Sequence, residues 1–590
     1  METLDREKFQ TRFLPKKNGF GIFHTLFFMI RHTLIELVQK SILAAQAAGE
    51  LPAFEMPGVE LLRPPKPEMG DYSTSLALKL ASVAKRPPMQ IAQTLAKHIP
   101  SHDAIGNIET AAPGFVNFTL SQTWLANQVA NILHAGAQFG NVNLGNGKRV
   151  QVEFISANPT GPLTIGSARN MAIGDTLARV LRASGYVVET EYYLNDAGSQ
   201  VRHLGESIYA KYAQQLGRDE PFPQDGYKGE YINDMAREII ARDGDKYLLM
   251  EKRDAVRELK RVGVAMVTET LKESLARVHV FFDNWFSEQS LRDSGLLNEI
   301  LEKLAAKGYT YEKDGALWFK ATEFGLDKDA VLVRSPQIVS EPDERPTYLA
   351  SDLPYVWNKV VIRNYDKAIY VWGADHQGDV PRVYAGARAL GLDPQRVVII
   401  VYQLVRLTRG GEKIRMSKRA GEFDTLDDLV ADVGEDAVRF LLVNSSPDTA
   451  MDFDLQLAAS QSYENPVHYV RYMHARTAGI LRNAAEQNMV SDDADLTRLA
   501  HPAELNLIKH LLRLEEVVEH AALKFEPHHI PHYALTLARA FSEFYDACRV
   551  LNIEPPDTEL SRARLQLVRA TKIVLARTLD LMGVSAPESM

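Results

Sequence analysis

Apolar and polar positions along the chain fall into helix-like and strand-like periods that change character several times. From Met29 to Leu120 the order reads helix, loop, strand, helix, strand, broken by Pro64, Pro65, Pro67, Gly70, Pro87, Pro88 and the turn Pro113-Gly114. This stretch is expected to be a separate α+β domain. At Val150 a strand begins, with Val152 and Phe154 alternating with polar neighbours, and it runs into a loop rich in proline and glycine. After Gly166 the residues Ile173, Leu177, Val180 and Leu181 fall at i, i+4, i+7 and i+8, the apolar face of a helix. A second strand, Tyr186 to Tyr193, follows Gly185. Strand, helix and strand in that order open a parallel sheet of the α/β class.

Residues 205–345 are more helical and charged, with a hairpin-like stretch at Gly315 to Phe319, and are expected to be an insertion between the halves of that sheet. Strands resume at Ala368 to Trp372 and at Val397 to Tyr402. The uniform apolarity of the latter predicts a buried parallel strand. From Ser460 onward every pattern is helical, with one stripe of Leu507, Leu511, Leu514 and Val518 and another of Leu537, Phe541, Phe544 and Cys548. That predicts an all-α bundle. The expected division is therefore an extension over 1–28, an α+β domain over 29–122, a sheet domain over 123–459 and a bundle over 460–590.

Composition narrows the class. At 590 residues there is room for three or four domains, and no repeat or low-complexity run points to disorder. The single cysteine, Cys548, excludes an internal disulfide and a cysteine-rich zinc site and suggests a reducing, cytoplasmic compartment. Its place in an apolar stripe makes it a core residue rather than a nucleophile. A formal charge of −9 argues against coating nucleic acid through global basicity, but 67 Lys and Arg leave room for a local basic groove. The apolar run Phe20 to Ile30, interrupted by His24, is too short for a bilayer, which needs about 20 residues. It also ends without a clear signal-peptide cleavage site. Residues 1–28 read as an extension without structure of its own, or as the product of a start upstream of a true one near Met29.

Two segments carry chemistry. In VEFISANPTGPLTIGSARN, residues 152–170, a strand passes through a Gly/Pro loop into a helix N-terminus, whose unpaired N–H groups favour phosphate. Gly161 and Gly166 would let a nucleotide approach the backbone closely, although an ordinary strand-to-helix turn uses the same residues. In EKIRMSKRAGEF, residues 412–423, a loop preceded by Arg409-Gly410-Gly411 holds Lys413, Arg415, Lys418 and Arg419. It suits closure on a triphosphate, and equally a solvated basic surface.

Taken in order, ANPTGPLxxGxARN, YYLNDAGSQ at 192–200, YLASDLPY at 348–355, YVWGADHQ at 370–377 and RMSK at 415–418 resemble arginyl-tRNA synthetases. The similarity runs from about Met29 onward. ELLRPPKPEMGDYSTSLALKLA resembles the family's N-terminal domain that reads the tRNA elbow, ENPVHYVRYMHAR at 464–476 the opening of its anticodon-binding bundle, and GVSAPESM its usual ending. The resemblance implies a class I nucleotide-binding parallel sheet with an insertion. It implies ATP-dependent activation of L-arginine and transfer to the 3′ end of the tRNA for arginine, with tRNA generally needed before activation. ATP with Mg2+ is then the implied nucleotide substrate, with no protein-bound structural metal, no membrane and a cytoplasmic monomer.

Residue by residue, the resemblance places Ser156 and Asn158 at the arginine backbone and Tyr348 with Asp352 around the guanidinium. A planar cation with five donors is best held by a carboxylate that accepts two parallel bonds, beside an aromatic ring. Asp352 would also serve as a helix N-cap, with Pro354 in the first turn. His376 matches a position near the substrate. Gly161, Thr164, Gly166, Ser167, Arg415, Ser417 and Lys418 match ATP contacts, Ser167 also faces arginine, and Lys418, Thr164 and Ser167 would carry catalysis. Asn195, Asp196 and Gln200 lie in a family signature without assignable roles. One departure stands out: the signature of two histidines around a hydrophobic residue and glycine reads Thr164-Ile165-Gly166-Ser167 here, keeping the glycine and offering hydroxyl donors instead. In the second signature Arg415 replaces a lysine. The rival readings are a tRNA-binding paralogue without ATP chemistry and a synthetase of the same class for another amino acid, the latter discriminated by Asp352 and the N-terminal domain.

Overall fold

Residues 29–339, 341–414, 425–489, 491–553 and 556–590 are described by a computed structural model, and the chain divides into compact units after Ser121. The extension 1–28 lies outside the described residues. In the first unit α1 (Ile30–Ala47) precedes β1 (Tyr72–Thr74), α2 (Leu76–Ala84), α3 (Pro88–His98), β2 (Ile105–Ala111) and β3 (Phe115–Leu120). The strands form an antiparallel sheet in the order β1-β3-β2. Leu34, Val38 and Ile42, spaced by a helical turn, are buried in this unit along with Ile91, Leu95 and Phe118.

The second unit opens with α4 (Gln122–Ala135), β4 (Arg149–Glu153), α5 (Ile165–Ala183) and β5 (Val187–Leu194), the strand-helix-strand unit read from the sequence. Gly174 lets α5 lie close on the strand end, because a Cβ there would sit 2.2 Å from Phe154 Cγ. Helices α6 (Ser199–Gln215), α7 (Glu230–Asp243) and α8 (Lys252–Arg277) follow, then β6 (Asn284–Ser287), α9 (Glu288–Asp293) and α10 (Leu296–Ala306). Strands β7 (Thr310–Lys313), β8 (Ala316–Phe319) and β9 (Ala330–Val333) make a small antiparallel sheet before α11 (Tyr348–Trp357). The main sheet resumes with β10 (Lys367–Gly373), α12 (Val380–Leu390) and β11 (Val397–Tyr402).

All five strands of the main sheet are parallel, in the order β11-β10-β4-β5-β6. Two expectations change. The stretch 205–345 is not wholly an insertion, because β6 pairs with β5 from Glu191↔Asn284 to Leu194↔Ser287 and so belongs to the main sheet. The run Val397–Tyr402 is an edge strand, paired only with β10 and mostly half-buried, so its apolarity does not come from a central position. From β4 the chain moves to β5 on one side, while β10 lies on the other. The carboxyl ends of β4 and β10 thus flank a topological switch point, where open α/β sheets bind ligands.

Beyond the sheet come β12 (Val405–Arg409), β13 (Glu412–Lys413), α13 (Leu426–Val433), α14 (Glu435–Val443), β14 (Met451–Asp454) and α15 (Leu455–Ala459). The remaining long helices are α16 (Pro466–Glu486), α17 (Pro502–Lys524), α18 (His529–Ala547) and α19 (Thr558–Leu581), packed as a bundle. Leu507, Leu511, Leu514, Val518, Leu537, Phe541 and Phe544 are all fully buried, and Cys548 is a buried free thiol. Buried Arg439 ties three regions of this unit together: it pairs with Asp175 on α5 and donates to Val278 O (2.6 Å) and Met582 O (2.8 Å). No helix among the described residues is long and apolar enough to cross a membrane.

Candidate active site

The loop leaving β4 is held in a strained shape. Ile155 and Ser156 both have left-handed backbones, φ 67° and 43°, at about 1–3 kcal/mol each for residues with a Cβ. Side chains that arrive later in the sequence hold them there. Asn170 on α5 accepts from Ile155 N at 2.6 Å and donates to Val371 O at 2.8 Å, linking the ends of β4 and β10. Ser156 Oγ donates to Glu153 Oε1 and accepts from Tyr193 N, both at 3.1 Å. The turn therefore presents Ser156 half-buried and Asn158 exposed at the carboxyl end of β4.

Beside it carboxylates gather around α11. Asp352 sits in the middle of α11, whose N-cap is Thr347, so the helix-cap reading of Asp352 does not hold. Pro354 is likewise inside the helix. Burial pushes the Asp352 carboxyl well above the usual range, and the charges of Glu153, Glu288 and Asp379 push the same way against Lys359. Glu288, at the start of α9, is buried and accepts from Arg292 Nη2 (2.8 Å) and Ser351 Oγ (3.0 Å). With its amide nitrogen toward Glu288, Asn195 donates to Glu288 Oε2 at 2.7 Å and to Ala197 O at 3.2 Å. The buried Tyr193 hydroxyl, which feels the charges of Glu288, Asp352 and Glu153, has no hydrogen-bond partner among the described residues. Tyr348, 56% exposed, lines the adjoining cleft with Asn195, Gln200, Glu288 and Ser351. The same cleft is lined by Glu288 and Glu344 together with Arg292 and Arg334, and Asp352 lies one helical turn beyond Tyr348. A carboxylate beside a hydroxyl without a partner suits a cation that donates several hydrogen bonds.

On the other side of the Ser156 turn, Thr164 is the N-cap of α5 but makes no capping bond with its hydroxyl, which lies 3.5 Å from Ser167 Oγ. Gly166 is exposed, and a Cβ there would meet only Thr164 Oγ1, at 3.6 Å, so the face above it is open. Tyr402 donates to Gly166 O at 3.2 Å and so fixes the edge of this face. Gly161 faces Tyr231, which donates to Thr160 O at 2.6 Å. Thr164 forms an isolated bridge with Thr425, and Leu426 N donates to Leu163 O at 2.9 Å. Thr425 in turn opens α13 with a capping box through Asp428. Arg415, Ser417 and Lys418 lie outside the described residues, but the chain that follows them is thereby attached to the Thr164 turn. His376 follows β10, exposed, with Asp375 at 3.5 Å and Asp379 at 3.9 Å from its ring nitrogens.

Three family models match the chain in sequence: Arginyl tRNA synthetase N terminal domain over residues 32–120, tRNA synthetases class I (R), catalytic domain over 128–470, and DALR anticodon binding domain over 470–590. Arginine–tRNA ligase of Dehalococcoides mccartyi (strain CBDB1) is 44% identical over 95% of this chain and 99% of its own length. The ligase of Heliobacterium modesticaldum is also 44% identical, over the same shares of each chain. The chain belongs to the arginyl-tRNA synthetase family. Its fold matches that of Thermus thermophilus arginyl-tRNA synthetase with a TM-score of 0.74 at 24% identity, covering 95% of this chain and all of the other. Arginyl-tRNA synthetase from Plasmodium falciparum gives 0.72 at 15% identity over 96% of this chain and all of the other.

Family membership sharpens what the sequence left unread. Glu153, Glu288, Tyr193, Lys359 and Asn170 were not singled out, yet they surround or hold the turn after β4 and Asp352. Asp196, left without a role, accepts from Ser287 Oγ (2.6 Å) and Gln289 N (2.9 Å) and so fixes the strand-to-helix step that presents Glu288. For Glu153 a signal existed: it ends a strand and precedes the Gly/Pro loop. For Glu288 and Lys359 there was none, since an isolated charge in a helix normally marks a surface.

Proposed function

We infer that the chain is a working arginine–tRNA ligase, which joins L-arginine to its tRNA through an arginyl-adenylate. The observation that carries this reading is the gathering of Asp352, Glu153 and Glu288 at the end of the sheet, with the Asp352 carboxyl raised by burial and by its acidic neighbours. Glu153 is paired with Lys359 and Glu288 with Arg292, so Asp352 is the carboxylate that an entering guanidinium neutralises. Asp352 accepts a two-point bond from it, Glu288 and the Tyr193 hydroxyl take its remaining donors, and Tyr348 covers it from the open side. Ser156 and Asn158 hold the amino-acid backbone, with His376 across the mouth of the site.

ATP lies over the open face of Gly166, with the Thr164 and Ser167 hydroxyls and the N-terminus of α5 toward its phosphates, while Gly161, covered by Tyr231, shapes the loop beside it. The arginine carboxylate attacks the α-phosphate and pyrophosphate leaves; the terminal ribose 2′-hydroxyl of the tRNA then attacks the arginyl carbonyl of the adenylate, loses its proton and displaces AMP. Magnesium, bound with the nucleotide, shares the phosphate charge. Arg415, Ser417 and Lys418 meet the phosphates as negative charge moves onto pyrophosphate. No protein nucleophile is needed, so catalysis rests on orientation, worth up to about 7–11 kcal/mol, and on about 3–4 kcal/mol per well-aimed donor. The enzyme is read as a monomer, and as cytoplasmic, the compartment being supported by a lone cysteine that is buried and free.

Arginine-dependent pyrophosphate exchange, with and without tRNA for arginine, tests the assignment, with lysine and citrulline as controls. Exchange is expected with arginine and tRNA only. A protein that binds the tRNA tightly and yields no adenylate would instead be the non-catalytic paralogue.

A further inference from the structure

The corner between α17 and α18 gathers imidazoles in a way the synthetase reaction does not use. His520 lies in the last turns of α17, Glu526 in the connection after Phe525, whose backbone is left-handed (φ 58°), and His529 is the first residue of α18. Glu526 Oε2 is 3.0 Å from His529 Nε2 and 3.4 Å from His520 Nε2. One ligand atom from each residue lies within 4.8 Å of the other two. With zinc–ligand bonds of about 2.0–2.2 Å, the edges of a tetrahedral site are about 3.3–3.6 Å, so both Glu–His separations already approach the required spacing.

We propose that His520, Glu526 and His529 form a binding site for a divalent transition metal of the zinc class, with water at the fourth corner. Two imidazoles and one carboxylate make a zinc-type donor set, whereas hard cations such as Mg2+ prefer all-oxygen sites. The single cysteine excludes a thiolate-rich zinc site but not this donor set, so the proposal departs from the expectation of no protein-bound metal that the family resemblance implied. His528 adds an unusual neighbourhood: its ring centroid is 4.3 Å from that of His529, and its buried Nδ1 has no hydrogen-bond partner among the described residues. The metal would clip the end of α17 to the start of α18 across the strained Phe525 corner. One turn further on, a His532 ring nitrogen lies 2.8 Å from Asn444 O at the end of α14, so the clipped corner is also where the bundle meets the sheet domain.

The test uses the full-length protein, stripped with chelator and titrated with Zn2+ in a calorimeter, and with Co2+ followed by visible absorption. One Zn2+ per chain, a tetrahedral-type cobalt spectrum and a melting temperature raised by Zn2+ but not by Mg2+ are expected. In the double variant His520→Ala with Glu526→Gln, whose side chains both lie partly open at the surface, affinity should fall by at least about tenfold. The melting temperature should then no longer respond to Zn2+. Comparison of the two apo proteins by circular dichroism and melting shows whether the variant is folded. The single variant His529→Gln provides a second measurement if it is not. No zinc uptake by the wild type, or uptake unchanged in a folded variant, overturns the proposal.

Discussion

The ammonium group of Lys359 lies 2.5 Å from Glu153 Oε2, and both side chains are buried. The same ammonium sits 3.8 Å from the ring centroid of Tyr355 and 3.7 Å from that of Tyr370, on a π-helical stretch, Asn358–Ile362, that continues α11. Such stretches recur at functional sites, and this one directs a lysine onto the carboxylate that ends β4. Glu153 is shared between this lysine and Ser156, so the ion pair below the sheet end sets the substrate-facing turn above it.

Removing the lysine should therefore cost stability as well as activity. Lys359→Met leaves the Glu153 carboxylate buried without its cation, an arrangement that typically loses about 3–5 kcal/mol. Urea unfolding should show a loss of that size. Lys359→Met combined with Glu153→Gln should recover part of it, because no uncompensated charge then remains. Equal losses in the single and double variants would contradict the pairing as the source of the effect.

Asp352 separates substrate selection from fold. Because Thr347 rather than Asp352 caps α11, Asp352→Asn removes no helix cap and removes a carboxyl raised by its acidic neighbours, so the fold should be at least as stable at neutral pH. Arginine use should weaken by about 2–4 kcal/mol through loss of a charge-assisted fork in a desolvated pocket, while ATP binding stays nearly unchanged. Steady-state kinetics with each substrate varied in turn distinguish the outcomes. Parallel loss for ATP and arginine would mean that Asp352 supports the whole site rather than the guanidinium.

The raised carboxyl of Asp352 also predicts a proton count. Its folded-state value lies above the unfolded one, so the empty folded protein holds a proton that the unfolded chain has released. The stability from this group is fully present below about pH 4 and is lost as pH rises through the folded value. A guanidinium favours the carboxylate, so arginine should bind with net proton release, and more tightly as pH rises across that window. Calorimetry of arginine binding to the tRNA complex in buffers of different ionisation enthalpy measures the release. It should vanish in Asp352→Asn, and a wild type without buffer dependence would refute the linkage.

How much of this was legible follows from which signals are local. The β4, α5 and β5 unit is written in consecutive periodicities, and the bundle in long apolar stripes. Strand β6 was not legible, since Asn-Trp-Phe-Ser is four half-buried residues with no alternation. Strand β11 was misread because apolarity alone does not distinguish an edge strand from a central one. Tyr348 and Asp352 were found because they lie one helical turn apart in a recognisable motif. Glu153, Glu288 and Lys359 come from three separate stretches, and only the crossing of the sheet brings their charges together.

Lys418 lies outside the described residues, and its expected effect is kinetic. If its charge meets pyrophosphate as negative charge develops there, Lys418→Ala should depress the activation rate far more than it raises the apparent KM for arginine or tRNA. Pre-steady-state adenylate formation is the appropriate measurement. Nearly normal turnover would leave the 412–423 loop as a solvated basic surface.

Thr164 and Ser167 carry the last prediction, since they replace the two histidines of the family's first signature. The Thr164 hydroxyl does not cap α5, and it stands 3.5 Å from Ser167 Oγ beside the open face of Gly166, so both hydroxyls are available to phosphate oxygens. A histidine would add a charge when protonated, with a titration near pH 6.5, whereas a hydroxyl supplies a donor that does not titrate in that range. The wild type should thus form adenylate at a rate that shows no step from these two positions between pH 6 and 8. Thr164→Ala with Ser167→Ala should cost about 2–4 kcal/mol in adenylate formation through two lost donors, with tRNA affinity unchanged. Restoring histidine at both positions should keep the activity and introduce a pH-dependent limb near pH 6.5. A double alanine variant as fast as the wild type would show that the α5 N–H groups alone bind the phosphates and that the hydroxyls are bystanders.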